Sequence, residues 1–80
     1  WMASHPDWAV ADGALVLERS FDDFALAWAF AAQVAEAAEA ANHHPDITVG
    51  WGKASVRLFS HDAGAITDRD RALAATIDDF

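Results

Sequence analysis

The sequence predicts an α+β fold, a four-stranded antiparallel sheet with helices packed on one face. Three observations carry this. Asp12-Gly13 separates two short apolar runs, the signal of a tight β-hairpin. Ser20 to Ala41 is rich in alanine, the best helix former, and has apolar residues at helical spacing. In Lys53 to Ser60, Ala54, Val56 and Leu58 alternate with Ser55, Arg57 and Phe59, the period of a strand with one buried face. The order strand, strand, helix, strand, strand, helix then gives a two-layer domain.

Taken along the chain, residues 1–7 read as a tail and residues 8–80 as one domain. Trp8 to Val10 and Ala14 to Glu18 are the first two strands. Ser20, with Asp23 three positions on, predicts a capping-box-like start for a helix over 22–41, and the aspartates there suit the positive end of a helix dipole. Phe24, Trp28, Ala31, Ala35 and Ala38 form one apolar stripe on that helix; Leu26, Phe30 and Ala37 form a second, nearly opposite. The second stripe is expected to be a subunit interface, because a domain this small buries only about 60% of its unfolded surface and has little core of its own. Pro45 stops the helix near His43, and Asn42 suits a left-handed cap. Ile47 to Trp51 and Lys53 to Ser60 form a second hairpin turning near Gly50 to Gly52, where Trp51 is expected to pack structurally. His61 to Gly64 is a loop. Thr67 and Asp70 read as a cap for a last helix ending near Asp79, with Ala72, Leu73, Ala75, Thr76 and Ile77 on its apolar side.

Composition narrows the functional classes. The apolar fraction of 54% is too high for a disordered chain. There is no Cys, which excludes disulfides, thiolate nucleophiles and Cys-based zinc sites. Thirteen acidic residues against five scattered basic ones, a net charge of −8, argue against direct nucleic-acid binding. The longest apolar stretch, Phe24 to Ala32, is about half of what a membrane span needs. No signal-peptide pattern is visible, so the cytoplasm is the expected location.

The chemistry-bearing residues are histidines. His43 and His44 follow the long helix, His61 follows a strand, and Glu39 lies one helical turn before His43. Spacing alone leaves three readings open. The histidines finish a helix and decorate a loop; or Glu39 and the histidines ligate a metal; or they form an acid–base cluster, since imidazole exchanges protons near neutral pH. No Gly-rich phosphate loop or nucleophile elbow is present.

Glu39-x3-His43-His44-Pro45, then five residues to Trp51, nine to His61 and eight to Asp70, resembles the signature of the pterin-4a-carbinolamine dehydratases, and the likeness runs from about Trp8 to Phe80. The resemblance implies a lyase that eliminates water from 4a-hydroxytetrahydropterin to give quinonoid dihydropterin, recycling the pterin cofactor of aromatic amino-acid hydroxylases with no metal or organic cofactor of its own. It implies that His43 and His44 protonate the departing 4a-hydroxyl, that His61 assists loss of the N5 proton, and that Glu39 supports the cluster. It implies a pocket lined by His43, His44, Pro45, Ser60, His61, Asp62 and Ala63. Asp70 and Thr67 are expected to be structural, as helix caps. Association as a homodimer or homotetramer through helix 22–41 is also implied. The family has an additional helix ahead of the segment matching Trp8; seven residues precede it here, and His5-Pro6 argues against a helix in them. Relatives of this fold also act as a transcriptional coactivator or an assembly chaperone, so a non-enzymatic interaction module is the alternative. It would not need the three histidines.

Overall fold

The computed structural model describes residues 1–80. A single 3₁₀ turn, Met2–Ser4, is followed by β1 (Trp8–Ala11), β2 (Ala14–Ser20), α1 (Phe24–Ala41), β3 (Asp46–Gly50), β4 (Lys53–Leu58) and α2 (Asp68–Asp78). The four strands form one antiparallel sheet in the order β1-β2-β4-β3, so the two hairpins meet along β2 and β4. The predicted fold class is the one found.

The first hairpin turns on Asp12 and Gly13, at φ 51° and 77°. Both lie in the left-handed region that a two-residue turn of the right hand demands, and which Asp and Gly tolerate best. The second turns on Trp51 and Gly52, between the paired Gly50 and Lys53. Gly52 has φ 71°, and a Cβ there would stand 3.1 Å from the Phe21 carbonyl oxygen. Its own carbonyl accepts from the Phe21 N–H at 2.8 Å, tying the hairpin tip to the chain as it enters α1.

Strand register puts Leu15 opposite Leu58, and Leu17 opposite Val56, on one face. Phe30, Val34 and Ala38 of α1 and Leu73, Ala74 and Ile77 of α2 close over that face with Trp8, Ala54, Val56 and Leu58, forming the core. Both helices therefore share one side of the sheet. The contact is close because α1 presents alanines there: Ala27, Ala31 and Ala38 are buried.

Several expectations are corrected. The cap of α1 is Asp23, not Ser20; its carboxylate accepts from the Leu26 N–H at 2.8 Å, and the helix starts at Phe24. The stripes on α1 are also reassigned. Phe30 is 4% exposed and belongs to the core, whereas Trp28 is 59% exposed. Ala37 packs against the core, and Phe24, Leu26 and Trp28 are left on the outside. In a helix this rich in alanine, small apolar residues occur all round, so the large residues mark no unique stripe. On α2 the buried apolar set is Leu73, Ala74 and Ile77, while Ala72 and Thr76 face outward. Trp51, expected to pack at its turn, is 76% exposed. Next to the first strand, His5 Nδ1 pairs with Asp78 Oδ2 at 2.6 Å, and the Trp8 indole N–H donates to Asp78 Oδ1 at 2.8 Å.

Candidate active site

The end of α1 positions two of the histidines. Asn42 takes a left-handed conformation at φ 50°, ψ 43°. The His43 N–H then reaches back to the Ala38 carbonyl at 3.0 Å, and the Asn42 N–H to that of Glu39 at 3.1 Å. This is a Schellman closure, which ends the helix and reverses the chain. Because the helix stops at Ala41, Glu39 and His43 do not share a face. Glu39 pairs instead with His44, Oε2 to Nε2 at 2.6 Å, and both side chains are exposed.

His43 turns toward α2. Its Nε2 lies 2.5 Å from Asp70 Oδ1, and the Asp70 side chain has no exposed surface. The second carboxylate oxygen, Oδ2, accepts from the Ser60 hydroxyl at 2.7 Å and from the Thr67 N–H at 2.8 Å. The Thr67 hydroxyl lies 2.8 Å from Ser60 Oγ and accepts from the Arg69 N–H. The capping box expected at Thr67 and Asp70 is therefore present, but Asp70 does more than cap: its free oxygen holds a histidine.

Burial works against charge on Asp70. The hydrogen bonds from His43, the Thr67 N–H and Ser60 outweigh it, and the carboxyl is held below the usual carboxylate range. An ionised carboxylate only accepts, so Nε2 of His43 carries the proton that it donates to Asp70. Ser60, expected to line the pocket, is buried, with its hydroxyl committed to this network.

His61 stands on the exposed loop after β4, its ring packed edge-on against Phe59 at 5.2 Å. That loop is braced by a bridge between Ser60 and Ala65. Asp62 forms an ion pair with Arg69 at 2.6 Å; the hydrogen bond from Arg69 holds the Asp62 carboxyl below its ordinary value. Ala63 is exposed and Pro45 half-buried. A cavity of about 210 Å³ opens between the end of α1 and α2, lined by Ala41, His43, Arg69, Ala72, Leu73 and Thr76. The structure thus ties His43 to Asp70 and His44 to Glu39 as separate pairs. No three His, Asp or Glu side chains gather as a metal cage would require. Arg69 is the site residue that sequence reasoning missed. An arginine in a helical first turn carries no signal beyond surface charge.

Comparison with known proteins decides the family. The sequence profile described as Pterin 4 alpha carbinolamine dehydratase matches residues 1–80. The chain belongs to this family. A Chloroflexus aurantiacus protein assigned by name to the pterin-4-alpha-carbinolamine dehydratases is 42% identical over 79 residues, covering 99% of this chain and 85% of that one. Among solved structures, the transcriptional coactivator/pterin dehydratase of Brucella melitensis superposes with a TM-score of 0.85 at 29% identity, over 91% of this chain and 80% of that one. A pterin dehydratase-like protein identified as a RuBisCO assembly factor in the α-carboxysome shares the fold, with a TM-score of 0.72 at 23% identity over 90% and 83% of the two chains. In the pterin dehydratase frame, Glu39, His43, His44, His61 and Asp70 form two carboxylate–histidine pairs and one free imidazole.

Proposed function

We propose that this protein is a 4a-hydroxytetrahydropterin dehydratase that returns the spent pterin of aromatic amino-acid hydroxylases to the quinonoid dihydropterin in the cytoplasm. The observation that carries the reading is the His43–Asp70 pair: an imidazole beside a cavity, fixed in orientation and tautomer by a buried carboxylate. Elimination needs one proton delivered to the 4a-hydroxyl and one removed from N5. The C4a–O bond breaks, water leaves, and the N5–H electron pair becomes the C4a=N5 double bond. His43, as an imidazolium that donates from Nε2 to Asp70 and gives up its Nδ1 proton, and His44 serve as acids toward the hydroxyl. His61, on its exposed loop, serves as the base at N5. Glu39 orients His44 and Asp70 orients His43. Imidazoles, with an unperturbed pKa of about 6.5, supply both forms near neutrality. A positioned acid or base contributes about 10²–10⁴-fold.

Stopped-flow measurement of 4a-hydroxytetrahydropterin decay tests this. Adding the protein should accelerate dehydration, and His43→Ala should lose about 10²–10⁴-fold of that rate. A rate equal to that in buffer would refute the enzyme reading, leaving the interaction module as the better account.

Self-association through α1 completes the proposal. The face available for it is that of Phe24 and Trp28, both about half exposed, rather than the stripe containing Phe30. Light scattering should show an oligomer that Trp28→Glu weakens. A wild-type monomer at high micromolar concentration would remove this part of the account. No helix is long and apolar enough to cross a membrane.

A further inference from the structure

One charged residue belongs to both halves of the site and has no assigned role. Arg69 lines the cavity beside His43, and it also grips Asp62 on the loop that carries His61. The cavity wall is otherwise poor in free donors. Ala41, Ala72 and Leu73 are apolar, and the Thr76 hydroxyl donates to the Ala72 carbonyl at 3.2 Å. His43 Nε2 is committed to Asp70. Arg69 has five N–H donors in a planar fork and no acceptor. The structure engages Nη2 with Asp62 Oδ1 at 2.6 Å and gives Nε and Nη1 no protein partner. Asp62 thus holds the guanidinium in place and leaves donors over for whatever enters the cavity.

We propose that Arg69 is the residue that positions and selects the substrate, donating its free N–H groups to the carbonyl-bearing edge of the pterin ring while Asp62 fixes the guanidinium. This rests on the dehydratase reading and adds a specificity rule to it. A donor-only fork matches a ring with an oxo group at C4, the carbon next to the reacting C4a. It disfavours a ring with an amino group there, which presents its own donors to a cation. Arg69 also couples ligand to loop, because the same side chain touches the cavity and the segment bearing His61.

The test compares wild type, Arg69→Gln and Arg69→Lys. Equilibrium titration uses a 4-oxo dihydropterin and its 4-amino analogue, and steady-state dehydration is measured with 4a-hydroxytetrahydropterin. Arg69→Gln should weaken 4-oxo binding about 10- to 100-fold, the range for loss of a charged hydrogen bond. It should raise KM with little change in kcat, and erase the preference for the 4-oxo ring, since the Gln carbonyl can accept from an amine. Arg69→Lys should restore part of both. Urea midpoints matching wild type would confirm that folding is not the cause. Unchanged 4-oxo affinity and unchanged preference in Arg69→Gln would overturn the proposal while leaving the dehydratase reading intact. A wild-type protein that binds neither ring would overturn both.

Discussion

The pairs His43–Asp70 and His44–Glu39 come from adjacent histidines and have nearly equal separations, 2.5 Å and 2.6 Å. Their surroundings differ. The first pair is 11% and 0% exposed, the second 58% and 76%. In the first, Ser60 and Thr67 hold the carboxylate from behind, and it completes the capping box of α2. In the second, water competes for every partner. Distance is therefore a poor guide to what each pair does. Burial and supporting bonds decide that one histidine is part of the scaffold and the other is tethered at the surface, free to adjust to a ligand. On the proposed dehydratase reading, the contrast suits a reaction in which one acid is held in register while another follows the substrate.

The largest effect that would sharpen this contrast is at the carboxylate itself. Asp70→Ala removes the capping box, leaves Ser60 and His43 without their acceptor, and should destabilise the fold by about 3–5 kcal/mol. Chemical denaturation measures it. A cost under about 1 kcal/mol would mean that the buried network is slack. Next comes pH. The folded-state pKa of Asp70 lies below its unfolded value, so the stability it adds is present above about pH 3.9 and is lost as pH falls through the folded value. The advantage of wild type over Asp70→Asn in urea midpoint should hold from neutrality to mild acid, then shrink. An advantage that persists at the lowest pH would show that charge is not its source. The smallest effect is at the surface pair. Glu39→Gln should change stability by no more than about 1 kcal/mol, as exposed ion pairs do.

What the sequence made legible follows the range of the interactions involved. Local signals read correctly: the Asp12-Gly13 turn, the left-handed Asn42, the alternation of β4, and the Thr67–Asp70 capping box. The signature spacing from Glu39 to Asp70 also pointed to the family that the profile match shows. Contacts between distant segments did not read. Asp70 was legible as a cap, but its bond to His43 spans 27 positions, and only the packed fold brings α2 to the end of α1. The anchor between His5 and Asp78 spans 73. The pairing of Glu39 was misjudged for a local reason. The Schellman turn at Asn42 cuts the helix two residues short of His43, so one-turn spacing does not apply. The facing of α1 was hidden by alanine, which is apolar enough for the core and small enough for the surface.

The most direct measurement sets the two pairs against each other in the same assay. The kcat for dehydration of 4a-hydroxytetrahydropterin is compared for Asp70→Asn and Glu39→Gln, with each variant shown to be folded. If His43 works because a buried carboxylate fixes its ring and tautomer, Asp70→Asn should lose at least about tenfold more rate than Glu39→Gln, within the range that a positioned acid contributes. Equal losses, or a larger loss in Glu39→Gln, would contradict that account and shift the chemistry to the exposed histidine.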